Sequence, residues 1–189
     1  VTTSGGRWGG GAVRLMAAGT GRIMRTIPAR STVILGFAGY FAQPDQPGEE
    51  AFLVLYDEGS AQLSIHLDLA AGRFRLYRGF SDGLLAESTA VAVASGVWSW
   101  FELKATIDPT NGHVELRRDG VTLLSFNGDT RATASTTVTG IQIRSLNAGS
   151  SGRVDVWVDD VCIADDQGGS NDDQQQHNHD SVRSDRIHP

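Results

Sequence analysis

Residues 100–118, "WFELKATIDPTNGHVELRR", decide the fold. Phe101, Leu103, Ala105 and Ile107 fall in one phase of a period of two, and Trp100, Glu102, Lys104 and Thr106 in the other. That alternation predicts a strand with one face on a core and one face toward solvent. "PTNG" then supplies Pro, Asn and Gly, and alternation resumes through Val114 and Leu116, so the stretch predicts an antiparallel hairpin. The neighbouring "RDG" at 118–120 turns the chain again into "VTLLSF".

The same period extends outward in both directions. "AQLSIHLDL" sets Leu63, Ile65, Leu67 and Leu69 against Gln62, Ser64, His66 and Asp68, which predicts a half-buried strand. "GRFRLYRG" sets Phe74 and Leu76 against Arg73, Arg75 and Tyr77. "TVILGFAGYF" at 32–41 and "AFLVLY" at 51–56 are apolar in both phases, so they predict central strands covered on both sides, joined by the loop "AQPDQPGEE". "AVRLM" near the start, "GRIMRTI" at 21–27 and "TVTGIQIRS" at 137–145 bring the total to roughly a dozen short strands at sandwich-like spacing. Two stacked antiparallel sheets bury such a pattern. In "VDVWVDDVCIADD" at 154–166 the valines at 154, 156 and 158 share one phase, and Val161 and Ile163 share the other, which predicts a bulge or sharp bend at Asp159 and Asp160.

The 189 residues suffice for one domain, predicted over 1–166, with a polar C-terminal arm or tail over 167–189. Only Val182 is apolar between Gly168 and Asp185, too little to offset the entropy of ordering that stretch by itself. A net charge of −6 opposes a nucleic-acid partner, and no apolar run reaches the roughly 18 residues of a membrane helix. The one cysteine, Cys162, excludes an intrachain disulfide and reads as a small buried hydrophobe.

"GRWGGGAVRL" at 6–15, "WSWFELKATIDPTNGHVELRRDGVTLL" at 98–124 and "VDVWVDDVCIAD" at 154–165 together resemble the concanavalin A-like, laminin-G-like jelly-roll modules of tailed-bacteriophage structural proteins. "DSVRSDRIHP" at 180–189 is similar to the short stretch ending in Pro that follows the closing strand in such modules, although "DDQQQHNH" replaces their usual apolar link. The resemblance implies an all-β jelly-roll sandwich of two antiparallel sheets. It also implies a non-enzymatic virion component, either a capsid decoration protein or a tail-fibre or baseplate module. Its partners would be other virion proteins and further copies of itself, with a trimer as the expected assembly.

Two other functions compete with that one. A carbohydrate-binding adhesion module recognising host surface glycan needs only exposed aromatic platforms, and Trp98, Trp100 and Trp157 are the candidates. A polysaccharide hydrolase needs two carboxyls about 5 to 9 Å apart. The adjacent pairs Asp57 with Glu58, Asp159 with Asp160, and Asp165 with Asp166 instead point to opposite faces of a strand. A lyase reading rests on "SIHL", where Ser64 stands in place of the Gln of alginate-lyase-like jelly rolls. No cofactor is expected beyond a structural calcium, for which Asp159 and Asp160 at the bend are the candidate ligands. The competing expectation is that Asp155 and Asp159 face solvent and guard a strand against edge pairing. The two histidines of "HNHD" at 177–180 read as part of a solvated run.

Overall fold

The computed structural model describes residues 5–17, 21–42, 48–90, 93–147 and 153–166. The arm or tail expected over 167–189 lies outside these residues. Fourteen strands and no α-helix occur among them. Sheet A runs in the order β1 (Val13–Leu15), β14 (Val156–Ala164), β3 (Thr32–Phe41), β8 (Trp98–Thr106), β9 (Gly112–Arg118), β10 (Val121–Gly128). Sheet B runs β2 (Arg22–Arg30), β11 (Val138–Arg144), β4 (Glu49–Asp57), β5 (Ser60–Asp68), β6 (Arg73–Arg78), β7 (Gly83–Glu87). A short pair, β12 (Leu146–Asn147) with β13 (Arg153–Val154), completes the set. Every pairing is antiparallel, and the first strand lies beside the last. This is a jelly-roll β-sandwich of two antiparallel sheets.

The alternation read from the sequence closes the sandwich. Phe101, Leu103, Ala105, Val114 and Leu116 of sheet A face Leu53, Leu55, Leu63, Ile65 and Leu76 of sheet B, all buried. At one end the phenylalanines interlock around Phe52, whose ring lies 5.6 Å from Phe37, 5.3 Å from Phe41 and 5.6 Å from Phe101. Phe52 occupies a register shift between Ala51 and Leu53, and this irregularity adds a large ring to the core from a strand already packed there. The 106–113 hairpin forms as expected, its turn capped by the Asp108 carboxylate, which accepts the backbone N–H of Thr110 (2.8 Å) and Asn111 (2.7 Å). At the next turn both Asp119 and Gly120 have positive φ, the geometry of a two-residue hairpin that keeps the twist of its strands.

The expected bend is present. The pairing of β14 with β3 shifts register between Asp159 and Cys162, and Asp160 takes a left-handed φ of 52°. One expectation is corrected: β5 is buried on both faces, since Gln62, Ser64 and His66 are as enclosed as its leucines. The 129–137 segment covers Gln62, which accepts from the N–H groups of Ala132 and Thr133 and donates to the Ser135 and Thr137 carbonyls. The β6–β7 turn covers the other two, with the Phe80 carbonyl accepting from Ser64 Oγ at 2.6 Å and from His66 Nε2 at 2.8 Å. Periodicity marks a face as polar and says nothing of the loops that fold over it.

Candidate functional site

Sheet A leaves its outer face uncovered by sheet B, and its registers assemble a row there. Arg14 pairs with Trp157, Trp157 with Tyr40, and Tyr40 with Trp98, so one cross-strand line runs through β1, β14, β3 and β8. Leu15, Val156, Val158, Phe41 and Phe101 fill the inward phase of these strands, which turns the four row residues outward. Tyr40 lies 5.5 Å from Trp98 in a tilted contact and 5.2 Å edge-on from Trp157, and the Arg14 guanidinium sits 5.1 Å above Trp157. All three rings are partly exposed. They form a continuous aromatic strip with a cation at one end.

Trp100 stands one row further along, level with Ala38 and Asp159. Gly36 lets its indole lie against the sheet, because a Cβ there would come within 2.7 Å of both Trp100 Cζ2 and Cys162 Sγ. The Arg7 guanidinium lies 5.8 Å over Trp100 and 5.0 Å over Trp8, and Trp8 is 79% exposed. Beyond Trp100 the face becomes charged and alternating. Ile34, Glu102, Lys104, Glu115 and Arg117 line a shallow depression of about 170 Å³. An apolar strip flanked by donors and acceptors suits a polyhydroxylated ring, whose C–H faces stack on aromatics while its hydroxyls find polar partners.

The aspartates of the closing strand serve the same face from beneath. Asp155 forms an ion pair with Arg14 and accepts the Ala17 N–H at 2.8 Å. Asp159 accepts the Arg7 N–H at 3.1 Å through one oxygen and the Asp160 N–H at 2.9 Å through the other. This corrects the expectation that Asp155 and Asp159 merely guard a strand in solvent: both fasten the 7–17 segment to the sheet. It also bears on calcium. Both Asp159 oxygens already hold backbone N–H groups, and no cluster of three His, Cys, Asp or Glu able to hold a metal occurs among the described residues. Asp159 and Asp160 would supply only part of the six to eight oxygens that calcium takes.

His66, the residue behind the lyase reading, is 6% exposed on the opposite sheet. Its Nε2 is engaged by the Phe80 carbonyl, Nδ1 lies 3.3 Å from Glu49 Oε1, and its ring packs 4.7 Å from Tyr77. Burial pushes the imidazole pKa down, against the opposing pull of the Phe80 carbonyl and Glu49. Both ring nitrogens therefore have partners within the fold.

Of the three tryptophans picked out by the sequence, the structure brings Trp98 and Trp157 into one strip and sets Trp100 beside it. Sequence reasoning missed Tyr40, Arg14 and the Arg7–Trp8 pair. Tyr40 was readable in principle, because its phase on β3 otherwise holds Thr32, Ile34, Gly36 and Ala38, two of them too small to fill a face.

No family model matches the sequence, and no curated protein matches it. Solved structures do match in fold. An endo-β-1,4-glucuronan lyase from the fungus Trichoderma reesei superposes with a TM-score of 0.57 at 17% identity, covering 77% of this chain and 74% of that one. A tetrameric galectin from the ball sponge Cinachyrella sp. gives 0.54 at 14%, covering 75% and 98%. An alginate lyase gives 0.53 at 12%, covering 81% and 80%. The chain spans only 14% of a matching sialidase and 38% of a matching botulinum neurotoxin type C chain. At these identities the likeness defines the fold, a jelly-roll β-sandwich, and nothing finer.

Proposed function

We propose that this chain is a non-catalytic jelly-roll module of a tailed-bacteriophage virion, and that the outer face of sheet A is its glycan-recognition surface. The carrying observation is the Arg14–Trp157–Tyr40–Trp98 strip, in which three partly exposed rings and a cation from four strands form one platform. Solved structures of the same fold include galectins and a neurotoxin whose cell entry depends on two ganglioside molecules, which accords with glycan recognition. The virion setting rests on the resemblance of residues 6–15, 98–124 and 154–165, and self-association, as a trimer, belongs to that setting. The enclosed His66, its ring held by the Phe80 carbonyl, supports a binding role over a polysaccharide lyase.

Titration calorimetry against polysaccharide from the host surface tests the binding half. Trp98→Ala and Trp157→Ala should each lower affinity about tenfold or more while leaving the thermal midpoint near wild type, since a lost stacking partner is worth roughly 1 to 3 kcal/mol. Wild-type affinity in both variants would reject the strip as the site. Immunogold electron microscopy of purified particles tests the other half: label on head or tail supports the virion reading, and unlabelled particles refute it.

A further inference from the structure

Sheet B carries a second feature, on the opposite side of the molecule and independent of the aromatic strip. Arg22 of β2 stands directly across from Arg144 of β11, and the next pair along the same face is Met24 with Gln142. The core-facing phase between them holds Ile23 and Ile143, so both arginines project outward. Side chains at such positions start about 5 Å apart, and like charges placed so destabilise a sheet. Neither guanidinium has a carboxylate within ion-pair distance among the described residues; the arginines of this sheet that form ion pairs there are Arg30, Arg73, Arg75 and Arg78.

Edge protection does not account for the pair. Arg22, Arg25 and Arg30 do guard the exposed strand β2, but Arg144 lies on β11, paired on both sides, where no edge needs guarding. Arg144 is instead held in place. Its guanidinium lies 5.3 Å over the Phe80 ring, and the turn carrying that ring is pinned by Ser64 and His66 through the Phe80 carbonyl. Its charge is felt at Glu50, whose carboxyl burial pushes up and Arg144 draws back down. Phe80 is 40% exposed and puts apolar surface directly against the Arg144 cation.

We propose that Arg22 and Arg144 form an anion site for the carboxylate of an acidic polysaccharide, with Phe80 as the apolar seat of the same sugar ring. Two guanidinium forks match a planar carboxylate, and a bound anion removes their mutual repulsion. Apolar surface next to the forks favours a uronic acid over a free inorganic anion, which has no face to stack.

The test uses the full chain and a hexamer of galacturonic acid in calorimetry, with its methyl ester as the uncharged control. The hexamer should bind with an affinity that falls as salt rises, and the ester should not bind. Arg22→Gln and Arg144→Gln should each lose about tenfold or more, as expected for a charged hydrogen-bonded contact. Trp98→Ala should leave this binding unchanged, so failure here and failure of the sheet A reading are separable. Should Arg144→Gln fail to fold, Arg22→Gln, on the exposed edge, carries the test alone. Equal binding of hexamer and ester, wild-type affinity in Arg22→Gln, preference for a sulfated oligosaccharide, or no binding of the hexamer would each overturn the proposal.

Discussion

Asp57 shows how much one side chain organises. It is buried at the end of β4 and accepts hydroxyl hydrogen bonds from Ser135 (2.5 Å), Thr133 (2.8 Å) and Thr137 (3.1 Å). The bonds from Ser135 and then Thr133 hold its carboxyl below the usual carboxylate range, against the opposing effect of burial. A carboxyl with a lowered folded-state pKa stabilises the fold above its unfolded value, near 3.9, and that stability disappears as pH falls through the lower folded value. Thermal midpoints followed from about pH 6 down to pH 2 should therefore drop more steeply in wild type than in Asp57→Asn, and parallel curves would count against the coupling. The sequence offered Asp57 only as half of an adjacent acidic pair. Its partners lie more than seventy residues away, and no periodicity points to them.

At the scale of elements, the closing strand is the informative one. Its phase break was legible because period two makes any slip visible as a change of face. The structure adds the means: Asp160 in a left-handed conformation and Asp159 capping its N–H. A β-branched residue tolerates that backbone poorly, so Asp160→Val should cost about 1 to 2 kcal/mol in urea unfolding while Asp160→Gly should be neutral or stabilising. Equal losses in both would mean that the aspartate side chain, and not the backbone conformation, is what matters there. β5 illustrates the converse, a strand whose apolar phase was read correctly and whose polar phase was not, because coverage by the 129–137 segment and the Phe80 turn is a long-range event.

For the whole molecule, stability rests on two sheets sharing one core, and Phe52, like Phe101, packs against four other phenylalanine rings in it. Phe52→Ala should cost about 3 to 5 kcal/mol, read as a lower urea midpoint with an unchanged slope, and a loss below about 1 kcal/mol would show that the bulge collapses to fill the space. The two faces this core holds apart carry different chemistry: aromatic rings and alternating charges on sheet A, an arginine pair beside Phe80 on sheet B. The sequence by itself determined which residues face inward and where strands turn, because both follow from a period of two and from local turn chemistry. Only the tertiary structure decided that Arg14, Trp157, Tyr40 and Trp98 share a row, or that Arg22 meets Arg144. The physical reason is that strand order and register are fixed by packing between segments distant in the chain, whose pairing no local pattern encodes.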